Sequence, residues 1–213
     1  MIKNYFLLFI VLITSNVFSQ EIYFKTGKNY TKYIYKDSNL QSNPNLQSGT
    51  GSFYEIGFMK PLTNKKIFYS LGLSLNDYNA LGGNTANSYR WDTQYLGLQA
   101  GLLYHFYTCK NNSKNNSKNN IDFFVKTALN TSSMIYGKEE LNGTYYDLMD
   151  QKEFRGILLE SSLGLMVKYQ IPSFGAISLG YDFGQTINVT NNSKEKLSFN
   201  TNQLELGIHF NIN

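Results

Sequence analysis

The stretch "NQLELGIHFNIN", residues 202–213, decides how the whole chain is read. Leu204, Leu206, Ile208, Phe210 and Ile212 are apolar, and Gln203, Glu205, Gly207, His209 and Asn211 between them are polar or small. A period of two sustained over this length is a β-strand whose two faces differ in chemistry. The same period recurs upstream. In "IFYSLGLSLN" (67–76), Ile67, Tyr69, Leu71, Leu73 and Leu75 oppose Phe68, Ser70, Gly72, Ser74 and Asn76. In "YLGLQAGLLYHF" (95–106), Leu96, Leu98, Ala100 and Leu102 oppose Gly97, Gln99, Gly101 and His105. "LESSLGLMVKY" (159–169) sets Leu163 and Leu165 against Glu160, Ser162, Gly164 and Lys168, and "AISLGYDFG" (176–184) sets Ile177 and Leu179 against Ser178, Gly180 and Asp182. "SFYEIGFMK" (52–60) and "DFFVKTALN" (122–130) repeat the pattern more faintly, with Glu55 and Lys126 on the polar side. "IYFKTGKNYTKYIY" (22–35) is aromatic and strand-like, but its faces are not assigned from sequence. Eight strands are expected, and no helical period competes with them.

The second face carries the information. A soluble sandwich keeps its inward face large and apolar. Here the apolar face is continuous and the opposite face is Gly and Ser with single charges among them. That is the inverted order of a membrane barrel, apolar toward lipid and polar toward the lumen. Gly and Ser leave room in a narrow bore for a few long polar side chains. The connections alternate accordingly. Long, polar ones (36–51, 77–92, 136–153, 188–196) are expected outside the cell. Short ones ("PLTNKK", 61–66, and "QIPSFG", 170–175) are expected in the periplasm. "CKNNSKNNSKNN" (109–120) falls in a turn position but is long and repetitive. It is expected to be an unstructured insertion, with a periplasmic tether to the cell wall or a partner as the sharper alternative. The expected fold is an all-β, eight-stranded antiparallel up-and-down transmembrane barrel. The competing readings are a ten-stranded barrel and a soluble periplasmic sandwich or lipocalin-like barrel.

"MIKNYFLLFIVLITSNVFSQ" supplies a positive Lys3, an apolar run and small residues Val17 and Ser19, so residues 1–19 are expected to be a cleaved signal peptide and 20–213 the barrel domain. An uncleaved anchor is the alternative. The net charge of +4 is scattered, which gives no nucleic-acid footprint. The single cysteine, Cys109, excludes an internal disulfide.

Glu205, Gly207, Phe210 and Ile212 fit the polar-x-Gly-x-x-aromatic-x-apolar spacing of an outer-membrane assembly signal, and "KTGKNYT" provides a Gly-x-Asn start at Gly27 and Asn29. On these residues the chain resembles the small eight-stranded outer-membrane barrels of the OmpA transmembrane-domain and OmpX type, and more narrowly the PorT-like barrels of Gram-negative bacteria. Asn213 departs from the usual apolar end. The resemblance implies an outer-membrane location, contact with outer-membrane lipid, and insertion by the barrel-assembly machinery. It does not choose among the roles of such barrels; the functional expectation is a non-enzymatic structural or interaction role, such as a component of an assembly or secretion complex, with a protein partner met through the external loops or the 109–120 turn.

Chemistry is sparse. Glu55, Lys126, Glu160, Lys168, Asp182 and Glu205, with His105 and His209, fall on the expected lumen face. Buried charges must pair, so a plugged polar lumen is expected, with a narrow pore for ions or small solutes as the alternative. No catalytic, cofactor or metal site is assigned. Both histidines are followed by Phe (His105-Phe106-Tyr107, His209-Phe210-Asn211), which leaves out the His-x-Ser of lipid-deacylating barrels. An outer-membrane lipid-modifying enzyme is the further alternative.

Overall fold

The computed structural model describes residues 20–36, 41, 46–62, 66–83, 88–110, 120–151, 154–172, 174–190 and 196–212. The expected signal peptide, the repeat at 111–119 and Asn213 lie outside these. Ten strands are present among the described residues: β1 (Gln20–Lys36), β2 (Leu46–Pro61), β3 (Ile67–Asp77), β4 (Ala80–Gly83), β5 (Ser88–Lys110), β6 (Asn120–Leu141), β7 (Thr144–Asp147), β8 (Ile157–Ile171), β9 (Gly175–Asn188) and β10 (Lys196–Ile212). Eight of them close a ring, β1-β2-β3-β5-β6-β8-β9-β10, with every neighbour antiparallel and β10 paired back onto β1. Closure leaves no unpaired edge inside a bilayer, where each orphan backbone group costs several kcal/mol.

Following one ladder round the ring shows the stagger. Tyr23 pairs with Gly57, then Gly72, Gln99, Asn130, Glu160, Thr186 and Phe199 in turn, and Phe199 pairs with Tyr33, ten residues farther along β1. A stagger of this kind is what tilts the strands of a closed barrel.

β4 and β7 add to the ring at one end only. β4 bridges β2 and β5, and β7 folds back on β6. Two segments read from sequence as loops, 77–92 and 136–153, therefore carry strand structure. The β6–β7 hairpin turns at Asn142 and Gly143, whose φ values of 50° and 80° suit a two-residue I′ turn. This is the loop end of the barrel. Gln20 and Ile212 pair at the other, turn end.

The alternation read from sequence sets the two surfaces. Outward apolar residues form a belt in which Leu98 is 66% exposed and Leu163 62%. Exposed aromatics gather toward the turn end. A register shift between His105 and Tyr107 turns both Phe106 and Tyr107 outward, against Phe123, and Phe174 packs edge-on against Phe210. Such an apolar surface is far larger than a soluble monomer leaves exposed.

Candidate functional site: the filled lumen

The inward residues stack in layers. At the loop end the bore is closed by an apolar cluster of Tyr33, Tyr78, Tyr95, Leu158, Leu197 and Phe199, joined from the adjoining loop by Leu148 and Phe154. The Tyr78 and Phe199 rings stand 4.5 Å apart. Trp91 meets Tyr33 at 5.5 Å and Phe154 at 5.0 Å, both edge-on, and its indole N–H donates to Glu139 Oε1 at 3.0 Å. The polar residues expected in the lumen lie below this cap. Aromatic residues fill the bore's upper part, and Trp91, read from sequence with the external loops, packs into the cap.

Below the cap lies a row of buried amides and hydroxyls around Glu160. Its carboxylate accepts from the Tyr78 hydroxyl at 2.8 Å and the Thr201 hydroxyl at 2.6 Å. Ser74 donates to Asn130 Oδ1 at 3.1 Å. No cation approaches Glu160 within 4 Å among the described residues, so hydroxyl donors carry it.

The middle of the bore is an alternating chain of charge. Glu55 Oε1 accepts from the Tyr23 hydroxyl at 2.5 Å, and its Oε2 accepts from Gln99 at 3.2 Å and lies 3.4 Å from Lys25 Nζ. Lys25 reaches Glu205 at 3.8 Å. Glu205 also binds Lys126, and Lys126 lies 2.5 Å from Asp182 Oδ2. Each of these five charged residues is at most 7% exposed. The five charges come from five strands and Gln99 joins from a sixth, so the chain braces the bore from wall to wall. A cavity of only about 20 Å³ remains among Lys25, Gln99, Lys126, Glu160, Asp182 and Gln203, which is room for about one water.

Neighbouring glycines make this possible. A Cβ on Gly180 would run into the Glu205 carboxylate, and one on Gly164 into that of Asp182. The Gly face read from sequence is the volume that the charges occupy.

At the turn end, Glu21 receives Lys168 Nζ at 2.9 Å and His209 Nδ1 at 2.5 Å. His209 Nε2 lies 2.7 Å from Ser178 Oγ. A hydroxyl, an imidazole and a carboxylate in line have the connectivity of a hydrolytic triad. Ser178 and His209 are each 1% exposed, however, and neither lines the 290 Å³ pocket that opens at this end over Glu21, Lys168, His105 and Asp122. The hydroxyl is buried in this arrangement, and the Glu21 carboxylate is shared with Lys168. His105 stands apart, 3.3 Å from Asp122, with the Thr108 hydroxyl donating to the same carboxylate at 2.7 Å. Among the described residues no group of three or more His, Cys, Asp or Glu is placed to hold a metal.

All eight residues expected on the lumen face thus lie inside the bore or at its turn-end mouth. The structure joins Glu55, Lys126, Asp182 and Glu205 in one chain and Lys168 with His209 in a second cluster, and it leaves Glu160 and His105 in separate settings. Sequence reasoning missed Lys25, which links Glu55 to Glu205, and Glu21, which links Lys168 to His209. Both lie on β1, whose faces could not be assigned from sequence. Among the assembly-signal residues, Glu205 faces the charge chain, Gly207 faces Ser178 and Lys25, Phe210 is outward, and Ile212 lines the turn-end pocket.

A closed ring of eight up-and-down strands, apolar outside and ion-paired within, is the plan of a transmembrane β-barrel, and this chain is of that class. Solved structures similar to it include outer membrane protein OprG from Pseudomonas aeruginosa (TM-score 0.46, 10% identity, 90% of this chain and 96% of that one). Neisserial surface protein A is similar as well (0.42, 10%, 89% and 96%), as is outer membrane protease OmpT from Escherichia coli (0.41, 7%, 92% and 98%). At these values no residue role carries over from them. No protein-family model and no curated protein matches the sequence.

Proposed function

We propose that the chain is an integral outer-membrane protein that works as a structural or interaction component, without catalysis and without conducting. In this reading the apolar belt holds it in lipid, the turn end faces the periplasm, and the loop end faces outward. The filling of the bore is the observation that supports this best. Five mutually paired charges cross its middle, an aromatic cap closes its outer end, and the space left between them holds about one water. With the interior filled, the surfaces left for function are external. The β6–β7 hairpin presents exposed Tyr145 and Tyr146, with Lys138 Nζ 3.5 Å over the Tyr145 ring, and is the natural contact for a protein partner. The segment from Glu205 to Ile212 would be read by the barrel-insertion machinery before it closes against β1. Single-channel recording on the purified protein in a planar bilayer tests the plug. No resolvable steps are expected, and steady unitary currents would overturn this reading in favour of a pore. Density-gradient fractionation tests the location, and recovery in the soluble periplasmic fraction would refute it.

A further inference from the structure

The apolar belt is not even around the ring. On β1 the outward residues run Ile22, Phe24, Thr26 and then Lys28, Tyr30 and Lys32, so the belt gives way to charge within a few residues. Lys28 stands in register between Leu204 of β10, a belt residue, and Ser52 of β2. Its ammonium donates to Ser52 Oγ at 3.3 Å, and no carboxylate lies within 4 Å of Lys28 or Lys32 among the described residues. The four adjoining strands β2, β1, β10 and β9 carry no Asp or Glu at an outward position. Their outward residues toward the loop end include Asn200, Asn202 and Gln185 instead. On the adjoining β3, Asp77 is held within the protein, accepting from Ser52 N–H at 3.2 Å and from Gln94 at 2.9 Å, and on β5 Arg90 is paired with Asp92 at 2.9 Å.

A cation beside hydrocarbon with no carboxylate ion-paired to it is costly unless it reaches the headgroup region and finds an anion there. We propose that this β2-β1-β10-β9 face binds the phosphorylated headgroup of an outer-leaflet glycolipid. Lys28 and Lys32 are four residues apart on one strand, roughly 13 Å at about 3.3 Å per residue. They therefore engage two separate phosphates of one headgroup rather than sharing one. Asn200, Asn202 and Ser52 supply the amide and hydroxyl groups that sugar hydroxyls require, and the Tyr30 ring lies between the lysines at the boundary with the acyl chains. This inference rests on the outer-membrane reading, which fractionation tests separately.

The test is native mass spectrometry of the purified chain in detergent against three probes. These are a bisphosphorylated lipid A, the same glycolipid with its phosphates removed, and phosphatidylglycerol. The bisphosphorylated form is expected to be retained preferentially. K28Q/K32Q should weaken that retention about thirtyfold, the loss of two lysine–anion contacts. K60Q/K66Q, at the turn end, should leave it unchanged, and both variants should remain heat-modifiable on gels. Equal retention by K28Q/K32Q and wild type would overturn the proposal. So would equal retention of the dephosphorylated glycolipid, and so would phosphatidylglycerol bound as tightly as the bisphosphorylated form.

Discussion

Replacing Lys126 with Met tests whether the charge chain is a brace or an ornament. Lys126 is the only cation within 4 Å of Asp182 among the described residues, at 2.5 Å, while Glu205 keeps a second cation, Lys25, at 3.8 Å. At an effective dielectric of about 20 the Lys126–Asp182 attraction is roughly 6–7 kcal/mol. Burying each ion costs several kcal/mol, so the intact pair contributes much less than that sum. Removing one partner leaves the cost of the other unmet, and Lys126→Met should destabilise the barrel by about 3–5 kcal/mol. The double variant Lys126→Met/Asp182→Asn removes both ions and should recover about half of that loss or more. Urea unfolding in lipid vesicles, followed by the emission of the single tryptophan, Trp91, reads both. That indole packs against Tyr33 and Phe154 in the cap and should report its opening. A loss below about 1 kcal/mol for Lys126→Met, or strict additivity of the two substitutions, would refute the account of a load-sharing chain.

Four further outcomes are expected. Leu163→Arg, in the belt, should cost about 2–4 kcal/mol by the same unfolding assay, whereas Ser162→Ala on the lumen side should change little; equal effects would reverse the two faces. Gly180→Ala places a Cβ against the Glu205 carboxylate and should destabilise by about 1–3 kcal/mol, and a neutral result would mean that the bore has slack at this layer. Deleting residues 207–213 strips β1 of its ladder partners from Gln20 to Lys25 and should abolish heat-modifiable folded protein, while Phe210→Ala should only slow its appearance; a truncated chain that still migrates as a compact barrel would contradict this. A fluorophosphonate probe should leave Ser178 unlabelled because its hydroxyl is shielded, so stoichiometric labelling abolished by Ser178→Ala would show instead that the Glu21–His209–Ser178 arrangement is catalytically competent.

Parts of this fold were legible because one face of a strand was almost purely aliphatic. β8, β9 and β10 each alternate Leu or Ile with Gly, Ser or a charge, and Glu160, Lys168, Asp182, Glu205 and His209 followed from that parity; Glu55, His105 and Lys126 followed from the same parity on β2, β5 and β6. β1 resisted the same reading. Its outward face carries Lys28 and Lys32, and its inward face carries Tyr23 and Tyr33, so hydropathy changes sign along both. Lys25 and Glu21 were lost with it. The aromatic cap was hidden for another reason. Tyr78, Tyr95 and Phe199 are indistinguishable by composition from belt aromatics, and only their inward parity beyond the polar layer separates them. β4 and β7 are four residues each, too short for a period to register. The Asn142–Gly143 dipeptide was the available clue to the β6–β7 hairpin. The register shift near His105 left no sequence trace, and it is what turns Tyr107 toward lipid.

The ten-residue stagger has a consequence for how the ring finds its one correct closure. A two-residue slip of β1 against β10 would keep every side chain on its proper face, so the alternation that specifies the faces is blind to that error. The charges are not. Lys25–Glu205 and Glu21–His209 both cross this seam, and a two-residue slip would displace them by about 7 Å, beyond contact distance. Glu21 is tied in addition to Lys168 on β8, 147 residues away. The bore's ion pairs therefore act as a checksum on the final zippering step. A mis-zipped barrel would be apolar outside and hydrogen-bonded throughout, yet penalised at its centre, and the chain could reopen and try again.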